Sequence, residues 1–93
     1  MKINLVFDYG TDVVEVPDFV GENVKKYRER FDKWCFDKNN KTTFDRKTGA
    51  FCYDGSTFVD WLNKYELQDN EKAEITESGP YDLNRKGRPT LFF

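Results

Sequence analysis

Apolar and polar positions alternate from the start of the chain. Ile3, Leu5 and Phe7 are spaced by Asn4 and Val6, the two-residue period of a strand with one face turned inward. Asp8-Tyr9-Gly10-Thr11-Asp12 has turn chemistry, with Gly10 able to take positive φ. Val13, Val14 and Val16 resume the strand pattern and Pro17 ends it, so the first 17 residues predict a β-hairpin. Asp18 then suits a helix N-cap, and Val20, Val24, Tyr27, Phe31, Trp34 and Cys35 recur at helical spacing. The opposite face offers Glu22 with Lys26 and Glu29 with Lys33 in the favourable i,i+4 order. Asn39-Asn40 stops this helix.

Thr42–Phe44 and Ala50–Tyr53 flank a polar loop that closes on Gly49, which predicts a second hairpin with a type I turn and a bulge. Asp54-Gly55-Ser56-Thr57 launches a second helix. Thr57 and Asp60 have capping-box spacing, while Phe58, Trp61, Leu62 and Tyr65 form its apolar stripe. Gln68-Asp69-Asn70 breaks it. Residues 73–76 suit a short edge strand and Ser78-Gly79-Pro80 a break. The expected fold class is therefore α+β. A small antiparallel sheet, with the order β-hairpin–helix–β-hairpin–helix and one or two C-terminal strands, is covered by two helices. Residues 1–80 form one domain and 81–93 a C-terminal tail or terminal strand. Two closing phenylalanines, Phe92 and Phe93, would be costly to leave in water, so the tail is expected to dock or to meet a partner.

Composition supports a core without staples. Among 93 residues there are nine Phe, five Tyr and two Trp, and each large aromatic removes roughly 150–250 Å² from water when buried. Cys35 and Cys52 are too few for a disulfide framework and read as free thiols among apolar neighbours. The apolar run at residues 3–7 is too short for a signal peptide, and no run reaches the roughly 18 apolar residues of a membrane span. A cytoplasmic protein with no membrane association is expected.

The chain has no histidine. That excludes Ser–His–Asp and Cys–His nucleophilic sites and the Cys2His2 zinc site, and two cysteines alone do not close a zinc site. No glycine-rich phosphate loop is present. Carboxylates remain. Pro17-Asp18 followed by Asp45-Arg46-Lys47 resembles the Pro-Asp … Asp/Glu-x-Lys motif of a large nuclease superfamily. That resemblance implies Mg²⁺ held by the acids and water activated by the lysine, hence a Mg-dependent carboxylate hydrolase as one alternative. Asp18 as a helix cap and Asp45 as a turn former account for the same residues. No catalytic residue, metal site or cofactor is assigned.

Net charge is only −2, yet the charge is segregated. Residues 42–82 hold nine acids against four bases, whereas residues 20–41 hold seven bases against four acids. An acidic face made from Asp60, Glu66, Asp69, Glu71, Glu74 and Glu77 would suit a protein partner with a basic groove. Five further aromatics lack a place on a helical stripe. Phe36 falls opposite the Val24–Phe31 stripe, Tyr9 and Tyr81 sit in turn-like contexts, and Phe92 belongs to the terminal pair with Phe93. Exposed aromatics beside acids make a reasonable docking surface.

Arg85-Lys86-Gly87-Arg88-Pro89 resembles the core of an AT-hook, a basic-Gly-Arg-Pro segment that lies extended in the minor groove of A·T-rich DNA. The resemblance implies a DNA-associated protein using Arg85, Lys86 and Arg88, although Thr90-Leu91-Phe92-Phe93 replaces the usual basic flank. The leading expectation is a non-enzymatic protein-binding module. In general character it is similar to small phage or mobile-element proteins, including those that inhibit host defence nucleases.

Overall fold

A computed structural model describes residues 1–83 and 85–93. The chain is a small α+β domain. Strands β1 (Lys2–Phe7), β2 (Gly10–Glu15), β5 (Glu74–Gly79) and β6 (Thr90–Phe92) form a four-stranded sheet in the order β5-β2-β1-β6. Helices α1 (Asp18–Gly21), α2 (Val24–Cys35) and α3 (Gly55–Trp61) accompany it, and strands β3 (Phe44–Asp45) and β4 (Ala50–Phe51) form a separate two-stranded ribbon.

The first hairpin forms as the alternation predicts, with Phe7 opposite Gly10 across a two-residue turn. Gly10 is needed for close approach: a β carbon there would stand 2.5 Å from the Gly79 carbonyl oxygen. The sheet departs from expectation in two ways. It is mixed, because β6 runs parallel to β1 with Leu5 opposite Leu91. The second hairpin does not join it. Only two residue pairs hold that ribbon, Phe44 with Phe51 and Asp45 with Ala50, around a turn closed by Gly49 at φ +71°.

Both faces of β1 and β2 are covered. Ile3, Leu5, Phe7, Val14 and Val16 face the helices and join the core, with Leu91 of β6. Asn4, Val6, Thr11 and Val13 point the other way and are also buried. The chain after β5 accounts for this. The Thr11 hydroxyl donates to the Tyr81 carbonyl (3.0 Å), and Asn4 Nδ2 donates to the Arg85 carbonyl and to Thr90 Oγ1 (both 3.2 Å). Residues 81–83 and 85–89 therefore strap the second face before β6 pairs with β1.

Phe31 is the hub of the core. Its ring meets Phe58 at 5.1 Å, Trp61 at 5.5 Å, Phe93 at 5.8 Å and Tyr53 at 6.1 Å between centroids. Edge-to-face geometry at these four contacts suits the ring quadrupoles. Phe93 also stacks on Phe7 at 4.6 Å, so it serves the core rather than an exposed docking surface.

The helices start and pair differently from the sequence reading. Asp18 lies inside the first turn of α1, and Pro17 takes the cap position. A break at Glu22–Asn23 separates α1 from α2. Arg28 and Asp32 pair along α2 (2.9 Å), whereas Glu22–Lys26 and Glu29–Lys33 close no ion pair among the described residues. The capping box sits three residues earlier than Thr57–Asp60. The Asp54 carboxylate accepts from the Thr57 N–H (3.0 Å), while Thr57 Oγ1 accepts from the Asp54 N–H (3.1 Å). Both cysteines are free, with Cys35 buried but Cys52 exposed. No helix among the described residues is long and apolar enough to cross a membrane.

Candidate functional site

Helix α3 does not end as an α-helix. Leu62–Glu66 continue it as a π-turn, with the Leu67 N–H donating to the Leu62 carbonyl at 2.9 Å. Asn63 makes a clamp within this turn. Its side-chain amide donates to the Ala73 carbonyl (3.0 Å) and accepts from the Ala73 N–H (2.7 Å), and its own carbonyl accepts from the Lys72 ammonium (2.7 Å). This clamp ties the helix to the chain entering β5 and draws the Asn63 carbonyl away from the helical ladder. Such π-turns occur frequently at functional sites.

The wider turn changes where Tyr65 points. At α-helical spacing Tyr65 would follow Phe58 and Trp61 into the core. In the π-turn it lags that stripe, remains 52 % exposed, and packs against Trp34 of α2 at 6.0 Å and 52°. Trp34 is half-buried, and Trp61 closes the floor beneath them. A groove of about 250 Å³ results, lined also by Asp60, Lys64, Thr42 and Thr57. The Lys64 ammonium lies 5.3 Å over the Tyr65 ring. The Asp60 carboxylate has neither a hydrogen bond nor an ion pair among the described residues, because Thr57 takes the N3 position of the capping box that was expected of it.

The other expected acids do not form one face. Glu66 is bonded to Arg30 at 2.6 Å, and the Glu71 carboxylate accepts from the Gln68 N–H at 3.3 Å. Both stand near Tyr27, whose phenol is pushed up chiefly by burial and then by Glu66, with Glu71 a smaller contribution and Arg30 opposing. Asp69 lies in a short 3-10 turn, 3.6 Å from the Lys72 ammonium. Register places Glu74 opposite Glu15 and Glu77 opposite Val13, on the sheet face away from the helices. Asp60 and the Glu74/Glu77 pair therefore belong to opposite sides of the sheet.

The exposed aromatics also separate. Tyr9 stacks on Phe7 at 5.1 Å, and its hydroxyl accepts from the Gly55 N–H (3.2 Å); burial pushes its phenol up. Phe36 packs edge-on against Phe51 (5.3 Å) and Tyr53 (5.4 Å), forming a satellite cluster with the β3–β4 ribbon. Beside that cluster lies a shallow basic depression of about 490 Å³ bordered by Lys41, Arg46, Lys47 and Cys52. Tyr81 and Phe92 are brought together on the strapped face. The Arg85 guanidinium lies 5.5 Å from the first ring and 5.1 Å from the second.

That arrangement bears on the AT-hook-like segment. Arg85–Arg88 is a tight turn, with the Arg88 N–H on the Arg85 carbonyl (3.0 Å) and left-handed φ at Lys86 (+46°) and Gly87 (+69°). This differs from the extended arm that the resemblance implies. Arg85 also donates to the Tyr81 carbonyl (2.9 Å), so it fastens the strap. The nuclease-like residues have local roles too: Asp45 Oδ1 accepts from the Lys47 N–H in its turn (2.9 Å). No group of three or more Cys, Asp or Glu side chains placed to hold a metal occurs among the described residues.

Compared with known proteins, the chain matches no family model, no curated protein and no solved structure. The groove between Trp34 and Tyr65 is the site that periodicity missed, since both residues fit helical stripes and read as core. Asp60 alone was legible as a candidate there.

Proposed function

We propose that this chain is a non-enzymatic protein-binding module that docks on a partner through an acidic and aromatic surface centred on Asp60. The observation that carries this reading is the Trp34–Tyr65 groove, which leaves aromatic faces and a carboxylate without an intramolecular partner exposed together. Exposed, rigid aromatics with a charge at their centre are the usual anchors of protein interfaces. Asp60, whose carboxylate has no partner among the described residues, favours a partner with a basic groove, where complementarity speeds and orients association. The finer form of the proposal is an inhibitor, of phage or mobile-element origin and acting in the cytoplasm, of a host defence nuclease. The substrate channel of such an enzyme is a basic groove of the required sign.

The test is affinity capture from an extract of the source cells by the wild-type chain and by an Asp60→Asn/Tyr65→Ala variant. A protein retained by the wild type, lost from the variant and released by moderate salt is the expected result. Equal recovery on both baits, or none on either, would count against the reading.

A further inference from the structure

We infer that the Trp34–Tyr65 groove is built to receive an arginine side chain of the partner. This rests on the binding-module reading and names the chemistry of its central contact. Four observations converge on it. First, the groove holds about 250 Å³, below the roughly 300–1,000 Å³ typical of pockets for whole small molecules, so it is sized for one protruding side chain. Second, its walls pair aromatic faces with a carboxylate. A guanidinium can stack on the Tyr65 or Trp34 ring while forking two N–H groups onto Asp60.

Third, the ring face already attracts a cation, since the Lys64 ammonium sits over Tyr65 at 5.3 Å. The Lys64 ammonium forms no ion pair with Asp60 among the described residues, so the carboxylate beside that ring is left for a cation from the partner. Fourth, the chain uses guanidinium–aromatic contact repeatedly for its own cohesion. Arg28 lies 4.1 Å over Phe93, and Arg85 lies beside both Tyr81 and Phe92. The groove presents the same aromatic half of that interaction, with the guanidinium left to the partner.

The charges on the walls make the inference testable by sign. Asp60 attracts a cationic occupant and Lys64 repels it. An anionic occupant reverses both, and a neutral sugar stacking on the rings depends on neither charge. The probe is the blocked tripeptide N-acetyl-Gly-Arg-Gly-amide, compared with its citrulline analogue, which has nearly the same shape without the charge. Binding is followed by NMR through the indole N–H signals of Trp34 and Trp61, the chain's two tryptophans.

The arginine peptide is expected to move the Trp34 signal in a saturable way, with the citrulline peptide binding about tenfold more weakly. Asp60→Asn should weaken the arginine peptide about tenfold, and Lys64→Met should tighten it several-fold. Equal shifts with citrulline, a loss of affinity in Lys64→Met, or saturable shifts with N-acetylglucosamine oligomers but none with the arginine peptide would overturn the inference. Absence of any Trp34 shift with the arginine peptide would overturn it as well. If capture of a partner still depends on Asp60 and Tyr65 in that case, the binding module stands and only its arginine contact falls.

Discussion

The Asp12 carboxylate lies against the α carbon of Gly55, so close that a β carbon on residue 55 would stand 1.9 Å from Asp12 Oδ2. Asp12 belongs to β2 and Gly55 to the first turn of α3, so this contact sets how near α3 comes to the sheet. Asp12 cannot easily yield, because it is buried and its Oδ1 accepts from the Ser78 hydroxyl at 2.6 Å. Gly55→Ala is therefore expected to destabilise the protein by about 1–3 kcal/mol, the usual cost of overpacking. Adding Asp12→Ala should make the pair less destabilised than the sum of the single changes. Urea unfolding of the four proteins measures both effects.

Phe31 lies within α2 and Phe36 caps its C-terminus, and the two should behave oppositely. Phe31 is fully buried at the centre of the aromatic core, so Phe31→Ala should cost about 3–5 kcal/mol. Phe36 is 45 % exposed on the satellite cluster, so Phe36→Ala should cost much less. Thermal and urea unfolding of the two variants provide the comparison, and similar losses would contradict the packing described.

The two thiols should differ in reactivity. Burial, followed by the charge of Asp32, pushes the Cys35 thiol up to about 11, whereas Cys52 is exposed. Alkylation of the native protein near pH 8 should modify Cys52 and spare Cys35 until the chain unfolds. The linkage sign follows from the same shift. The unfolded thiol ionises near 9 while the folded one retains its proton, so the unfolded state holds fewer protons between those values. Stability should fall as pH rises from about 9 to 11, and the fall should be shallower in Cys35→Ala.

Asn63 should control the π-turn. Removing its amide leaves the Ala73 N–H and C=O without their partners, at about 1–3 kcal/mol for an unmet buried group. In Asn63→Ala, hydrogen exchange at Leu67 and Ala73 should accelerate while the middle of α2 remains protected. Unchanged exchange at both amides would show that the clamp does not hold the turn.

Asn4 should control the strap. Its amide holds the Arg85 carbonyl and the Thr90 hydroxyl against β1. Asn4→Ala should therefore speed tryptic cleavage in the Arg85–Arg88 turn well before the core opens, as local unfolding predicts. Cleavage at the wild-type rate would argue against that anchoring.

Local signals explain what was legible. The alternation through Phe7 and the valines of β2 specified a hairpin, because neighbouring strands joined by a tight turn need only local pairing. Helix α2 followed its Tyr27–Phe31–Cys35 stripe, and all three side chains are buried. Residues 74–79 became the predicted edge strand, longer than residues 73–76 suggested. Tyr65 was misread because an α-helical period was applied through a π-turn. That turn depends on Asn63 meeting Ala73, a contact with no repeating pattern to announce it.

From the amino-acid sequence alone came the α+β class, the first hairpin, the main helix and an aromatic core. These depend on periods of two and 3.6 residues and on side-chain size, properties carried by consecutive positions. Tertiary structure decided the rest. Leu91 pairs with Leu5 across the whole length of the chain, the strap covers a second sheet face, and the acids divide between two sides. The Asn63 clamp turns Tyr65 outward onto Trp34 beside an unpaired Asp60, which makes a groove of residues that otherwise belong to a core stripe. Contacts between distant segments create that site, and no local period encodes them.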